Sequence, residues 1–92
     1  MTTATENIES LLKTDRPAEA LAAADEAIAS GSGPKAQLLF LKGKALWRLG
    51  RRSEATSAYA ASAALDHDGP AVRALEHARD IESFFNPDLY NP

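Results

Sequence analysis

The chain has 92 residues, of which 19 are alanine, 25% are charged and none is cysteine, and its formal charge is −3 at pH 7. The lack of cysteine excludes disulfides, thiolate metal sites and thiol catalysis, and the negative charge disfavours nonspecific nucleic-acid binding. No apolar run reaches the roughly 18 residues of a membrane span, and no basic segment precedes an apolar one at the start. We therefore expect a cytoplasmic protein that contacts neither nucleic acid nor membrane.

Apolar residues recur with helical spacing in five segments, and none of the segments shows the alternation of a strand. The first predicted helix begins with Thr3 and Glu6 at the spacing of a capping box, and Pro17 suits the first turn of the second. Gly31 and Gly50 are suited to ending the second and third helices. The predicted helices cover residues 3–14, 17–30, 35–49, 52–65 and 70–85.

The sequence repeats with a shift of about 35 residues, and the breaks between helices coincide under the same shift. Six positions are identical: Leu11 and Leu46, Arg16 and Arg51, Glu19 and Glu54, Ala20 and Ala55, Ala23 and Ala58, and Ala29 and Ala64. A second shift brings Ala78 into register with Ile8 and Gly43. The pattern indicates two copies of a helical hairpin followed by one more helix.

Residues 41–66, L-K-G-K-A-L-W-R-L-G-R-R-S-E-A-T-S-A-Y-A-A-S-A-A-L-D, resemble a tetratricopeptide repeat (TPR), a helix–turn–helix unit of about 34 residues. The small and large signature positions of that family are occupied by Gly43, Leu46, Gly50, Ala55 and Tyr59. The sequence departs from the family pattern at Leu39, Ser62 and His67, where tryptophan, alanine and proline are usual.

The resemblance implies an all-α fold of about five helices, a right-handed α-solenoid of antiparallel helix pairs, of the short bacterial type. One domain would cover residues 1–85, with repeat 1 at about 1–34, repeat 2 at about 36–69 and a capping helix at 70–85. Residues 86–92 would form a C-terminal tail. Small residues such as Gly43 and Ala20 would let two helix backbones approach closely, with Tyr59 and Leu46 filling the space beside them.

The resemblance also implies that the first helices of the pairs line a concave groove for a partner peptide or helix. The residues expected to bind the partner are Glu9, Lys13, Phe40, Lys44, Trp47, Arg48 and Arg79. Aromatic rings beside cations suit a ligand that carries an acidic group. The alternative is that Trp47 packs on the first helix and the cations are only a solvated face. The family's carboxylate clamp is not expected, because Glu9 and Lys44 stand where that clamp has asparagines.

These observations favour a non-enzymatic protein–protein interaction module, a scaffold or adaptor without a cofactor, catalytic residue or metal. The cluster that resembles a metal or acid–base site consists of Asp66, His67, Asp68, His77 and Asp80. Its simpler interpretation is an acidic turn with surface histidines.

The C-terminal end holds Phe84, Phe85 and Tyr90, half of the six aromatic residues. In one interpretation Phe85 seals the core and Tyr90 folds back over the last helix. In the other the tail docks in another subunit, because large exposed apolar patches usually mark interfaces. The second interpretation predicts a structural homo-oligomer, such as a homodimer.

Overall fold

The computed structural model describes residues 3–85, in which all regular secondary structure is helical. The five helices are α1 (Ala4–Lys13), α2 (Pro17–Ser30), α3 (Lys35–Arg48), α4 (Arg52–Leu65) and α5 (Pro70–Phe85). The prediction of five helices is confirmed, and its bounds differ from the observed ones by at most one residue. The predicted tail at 86–92 lies outside the described residues. Over residues 3–85 no helix has both the length and the apolar character needed to cross a bilayer.

The ends of the first two helices are set by local chemistry, as predicted. The Glu6 backbone N–H donates to Thr3 Oγ1 at 3.1 Å, which caps the start of α1. Pro17 occupies the first turn of α2, where a missing N–H costs no helical hydrogen bond. Gly31 ends α2 with a φ of 67°, a conformation that glycine adopts without a side-chain clash.

The turns within the two helical hairpins have the same backbone hydrogen-bond pattern. Asp15 and Gly50 stand at equivalent positions under the 35-residue shift, and their φ angles are 58° and 79°. In each turn the N–H of the following arginine donates to the carbonyl five residues earlier, which is the pattern of a Schellman motif. These bonds are Arg16 to Leu11 at 2.8 Å and Arg51 to Leu46 at 3.0 Å.

Each helix packs on the next one along the chain, and α1 also contacts α3. The buried side chains form two clusters, and α3 contributes to both. The cluster of α1, α2 and α3 contains Ile8, Leu12, Ala20, Ala24, Ala27, Leu38, Leu41 and Ala45. The cluster of α3, α4 and α5 contains Leu46, Ala55, Ala58, Tyr59 and Ala78.

The close contact between α3 and α4 depends on Gly43. A Cβ placed on this glycine would lie 2.5 Å from Cδ1 and Cε1 of Tyr59, so the ring rests directly on the α3 backbone. The predicted use of a small residue here is confirmed. Burial raises the pKa of the Tyr59 hydroxyl above its usual value, because the phenolate would lose its hydration.

A second contact between the same helices explains a departure from the repeat pattern. Ser62 is only 3% exposed, and its hydroxyl donates to the backbone carbonyl of Ala36 at 2.5 Å. A buried hydroxyl needs such a partner, and an alanine at this position could not form the bond. The serine therefore fastens the last turn of α4 to the first turn of α3.

Candidate functional site

A cleft of about 540 Å³ lies between α1 and α3, and the end of α4 and the start of α5 close one end of it. We call it the α1–α3 cleft. Its charged lining residues are Glu9, Lys13, Lys44, Arg48 and Asp66. Phe40 and Leu41 supply apolar surface in the same lining. The first helices of the two hairpins thus form the main walls of the cleft.

Helical spacing explains why these side chains share one surface. Phe40, Lys44 and Arg48 follow one another at intervals of four residues along α3, so they lie on one face of that helix. Glu9 and Lys13 have the same spacing on α1. Because α1 contacts α3, the two faces meet across the cleft.

Phe40 and Lys44 form a mixed aromatic and cationic surface within the cleft. The Lys44 ammonium lies 5.5 Å from the centroid of the Phe40 ring, within the range of a cation–π contact. The ring in turn packs on Tyr59, with centroids 5.9 Å apart. Both Phe40 and Lys44 are half-buried, so each keeps part of its surface open to a ligand.

Arg48 joins the two walls of the cleft. Its Nη1 donates a hydrogen bond to the backbone carbonyl of Leu12, in the last turn of α1. A guanidinium has five N–H donors, so this bond leaves others available. Arg48 can therefore hold α1 in place and still bind a carboxylate.

Charge is distributed unevenly along the cleft. Lys13 and Arg48 lie at the carboxyl ends of α1 and α3, and Lys44 is one turn before Arg48. Asp66 is at the other end, where its Oδ1 accepts a hydrogen bond from the Asp68 backbone N–H at 3.2 Å. Among the side chains that the structure describes, those of residues 3–81, the ion pairs are Arg16–Glu19, Lys42–Asp25 and Arg51–Glu54, and they use none of the cleft residues. Within the side chains of residues 3–81, Lys13, Lys44 and Arg48 therefore form no ion pair.

Two of the predicted binding residues lie away from the cleft. The Trp47 ring is 6.4 Å from the ring of His77 on α5, and the Arg52 guanidinium lies 5.2 Å from its centroid. Trp47 precedes Arg48 by one residue, a rotation of about 100° around the helix, which turns it toward α5. The contacts that the structure gives for Trp47 are thus with α5 and Arg52, whereas the alternative expectation placed it on the first helix. Arg79 is exposed on α5 and is not part of the cleft lining.

The structure thus brings together five of the seven predicted binding residues: Glu9, Lys13, Phe40, Lys44 and Arg48. The prediction missed Gln37 and Asp66. Gln37 stands seven residues before Lys44, two turns along the same face, so helical spacing could have indicated it. Asp66 reaches the cleft only because α4 returns to the start of α3, and no local pattern indicates that.

The alternative metal site is not supported in the described part of the chain. Among the described side chains, those of residues 3–81, no three or more His, Asp or Glu lie together as metal ligands would. His67 is exposed, and His77 packs its ring near Trp47 instead of near the acidic turn.

Comparison with known proteins found no family model, no curated protein and no solved structure that matches this chain. The function is therefore inferred from the geometry and chemistry of the α1–α3 cleft.

Proposed function

We propose that this chain is a cytoplasmic, non-enzymatic protein–protein interaction module, a small scaffold or adaptor. Its α1–α3 cleft binds a partner peptide or helix that carries an acidic group. The observation that carries the proposal is the surface formed by Phe40, Lys44 and Arg48, which places an aromatic ring beside two cations in a concave cleft. Such a surface offers apolar contact and charge-assisted hydrogen bonds together.

The proposed fold is a right-handed α-solenoid of antiparallel helix pairs, similar to tetratricopeptide repeats. Two contacts support opposite directions for α3 and α4. Ala36, early in α3, bonds to Ser62 late in α4, whereas Gly43 further along α3 meets the earlier residue Tyr59. The shared hydrogen-bond pattern of the two hairpin turns supports a tandem repeat.

The chemistry of the cleft favours binding over catalysis. Among the residues that line it in the described part of the chain there is no histidine to act as a base. The Ser62 hydroxyl already donates to a backbone carbonyl, so it is not poised as a nucleophile. The remaining polar groups are suited to holding a ligand in place.

Magnitudes indicate how the cleft would hold a peptide. An exposed ion pair contributes about 1 kcal/mol or less, so Lys44 and Arg48 alone cannot give tight binding. Burial of apolar surface adds about 25 cal/mol per Å², which makes the Phe40 ring the expected source of much of the affinity. Salt should weaken the charged contribution and leave the apolar one.

Affinity capture from a lysate with charge-matched variants tests this proposal. Lys44→Glu reverses a charge inside the cleft, and Lys35→Glu makes the same change at an exposed position of α3 outside it. We expect the Lys35→Glu variant to retain the proteins captured by the wild type and Lys44→Glu to lose them, with equal helicity by circular dichroism. Equal capture by both variants, or no specific capture by the wild type, would contradict the proposal.

A further inference from the structure

The segment that follows α5 has the sequence N-P-D-L-Y-N-P, residues 86–92, and lies outside the described residues. Its side chains include a carboxylate at Asp88 and a phenol ring at Tyr90, two positions apart. These are the two chemical groups that the surface of Phe40 and Lys44 is suited to bind. The segment is therefore a candidate ligand within the protein's own sequence.

The spacing of these groups matches the cleft. In an extended chain, side chains two residues apart point to the same side and are separated by about 6.6 Å. Phe40 and Lys44 are one turn apart on α3, about 6 Å along the helix. An extended segment can thus place the Asp88 carboxylate near Lys44 while Tyr90 packs on Phe40. Leu89 would then point away from the cleft.

Helix geometry indicates that the α1–α3 cleft would bind residues 86–92 of another copy and not those of its own chain. Pro70 and Ala36 line the same end of the cleft, and further along the two helices His77 contacts Trp47. Helix α5 therefore continues away from the cleft for about 12 Å beyond His77, to its end at residue 85. Asp88 is three residues past that end, a reach of about 10 Å.

Lys44 lies in the opposite direction, nearly one turn before Trp47, about 4.5 Å along α3. The axial distance from the end of α5 to Lys44 is thus about 16 Å, more than the segment can cover at Asp88. The segment of a second copy is not limited by this distance, because its α5 is not attached to the cleft that it would bind.

We propose that residues 86–92 of one copy bind the α1–α3 cleft of a second copy. The inference uses the cleft of the proposed function and goes beyond it by naming an occupant. Self-association would then compete with any external partner for Phe40 and Lys44. The cleft would be covered at high protein concentration and free at low concentration.

Light scattering of the full chain across a concentration series, with single-site variants, tests the contact. We expect the wild-type mass to rise from 9.8 kDa toward twice that value with concentration. A tail variant, Asp88→Lys with Tyr90→Ser, and the cleft variant Lys44→Glu should remain monomeric. Leu89→Ser is the matched control and should associate like the wild type, because in the proposed contact Leu89 would point away from the cleft.

A mixing experiment makes the test specific. The Lys44→Glu variant keeps its tail, and the tail variant keeps its cleft, so the two monomeric variants should form a 1:1 complex when mixed. A wild type that stays monomeric, a tail variant that still dimerises, or a mixture without a complex would overturn the inference. If the wild type stays monomeric but captures a partner that the Lys44→Glu variant does not capture, this inference is overturned and the proposed function stands. Self-association without cleft-dependent capture would overturn only the proposed function.

Discussion

Two positions exchange large and small side chains between the hairpins. In the second hairpin Gly43 receives the ring of Tyr59, whereas the equivalent positions of the first hairpin hold Ile8 and Ala24. Both Ile8 and Ala24 are fully buried. The large residue thus lies on the first helix of one hairpin (α1) and on the second helix of the other (α4). In both hairpins one large and one small side chain fill the space between the two helices.

Gly43→Ala tests the closeness of the α3–α4 contact. Alanine favours a helix over glycine by about 1 kcal/mol, but its Cβ would overlap the Tyr59 ring, a type of overpacking that costs about 1–3 kcal/mol. We expect a lower free energy of unfolding in a urea titration. Adding Tyr59→Leu to this variant should recover part of the loss. An unchanged or higher stability of Gly43→Ala would show that the ring does not rest on the backbone.

Asp15 adopts a left-handed conformation that the equivalent Gly50 adopts without a side chain. An aspartate in this conformation carries backbone strain, and its negative charge is repelled by the negative end of the α1 dipole. We expect Asp15→Gly to raise the free energy of unfolding by about 0.5–1 kcal/mol and Gly50→Asp to lower it. Thermal unfolding followed by circular dichroism measures both variants. Shifts in the same direction for the two would refute the equivalence of the two turns.

Helix α1 contacts α3 across the cleft through a side-chain hydrogen bond. It packs on α2 and on α3, and the Arg48 side chain donates a hydrogen bond to its last turn at Leu12. That bond contributes about 1 kcal/mol if it behaves as a typical intramolecular hydrogen bond. Arg48 is therefore expected to order one wall of the cleft besides contacting a ligand.

Arg48→Met tests this link between the helices, because methionine keeps much of the length and removes the donor. We expect faster amide hydrogen exchange in α1, with little change in α5. Arg73→Met, at an exposed position of α5, is the control and should leave α1 unchanged. Exchange rates in α1 that do not differ between the two variants would argue against a role for the Leu12 bond.

The helices could be predicted from sequence because their signals are local. Proline, glycine and capping residues mark the ends, and apolar periodicity marks the faces. Five of the residues that line the cleft were also predictable, since spacing by four residues places them on common helix faces. The position of the Trp47 side chain was not predictable, because the direction of the ring depends on which neighbouring helix, α1 or α5, offers the better packing surface. Asp66 reaches the cleft only because α4 returns to the start of α3, so its place in the cleft lining could not be predicted without the tertiary structure.

At the scale of the whole molecule, function follows from how consecutive helices stack. Small residues bring α3 and α4 together, and α1 and α3 meet with a cleft between them. In a chain of 92 residues most of the packed surface is needed for stability, and the cleft offers a concave surface that needs no rearrangement of the core. We therefore propose that, among the surfaces of the described residues, the partner binds at this cleft.

Site-specific photo-crosslinking in the native host tests that assignment most directly. A benzoylphenylalanine would replace Gln37, an exposed residue in the cleft lining, and in a matched variant Ala22, an exposed residue of α2 outside it. We expect illumination to give discrete crosslinked products from position 37 that disappear when Lys44→Glu is added, and none from position 22. Products of equal yield from both positions, or products at position 37 that persist with Lys44→Glu, would contradict the assignment.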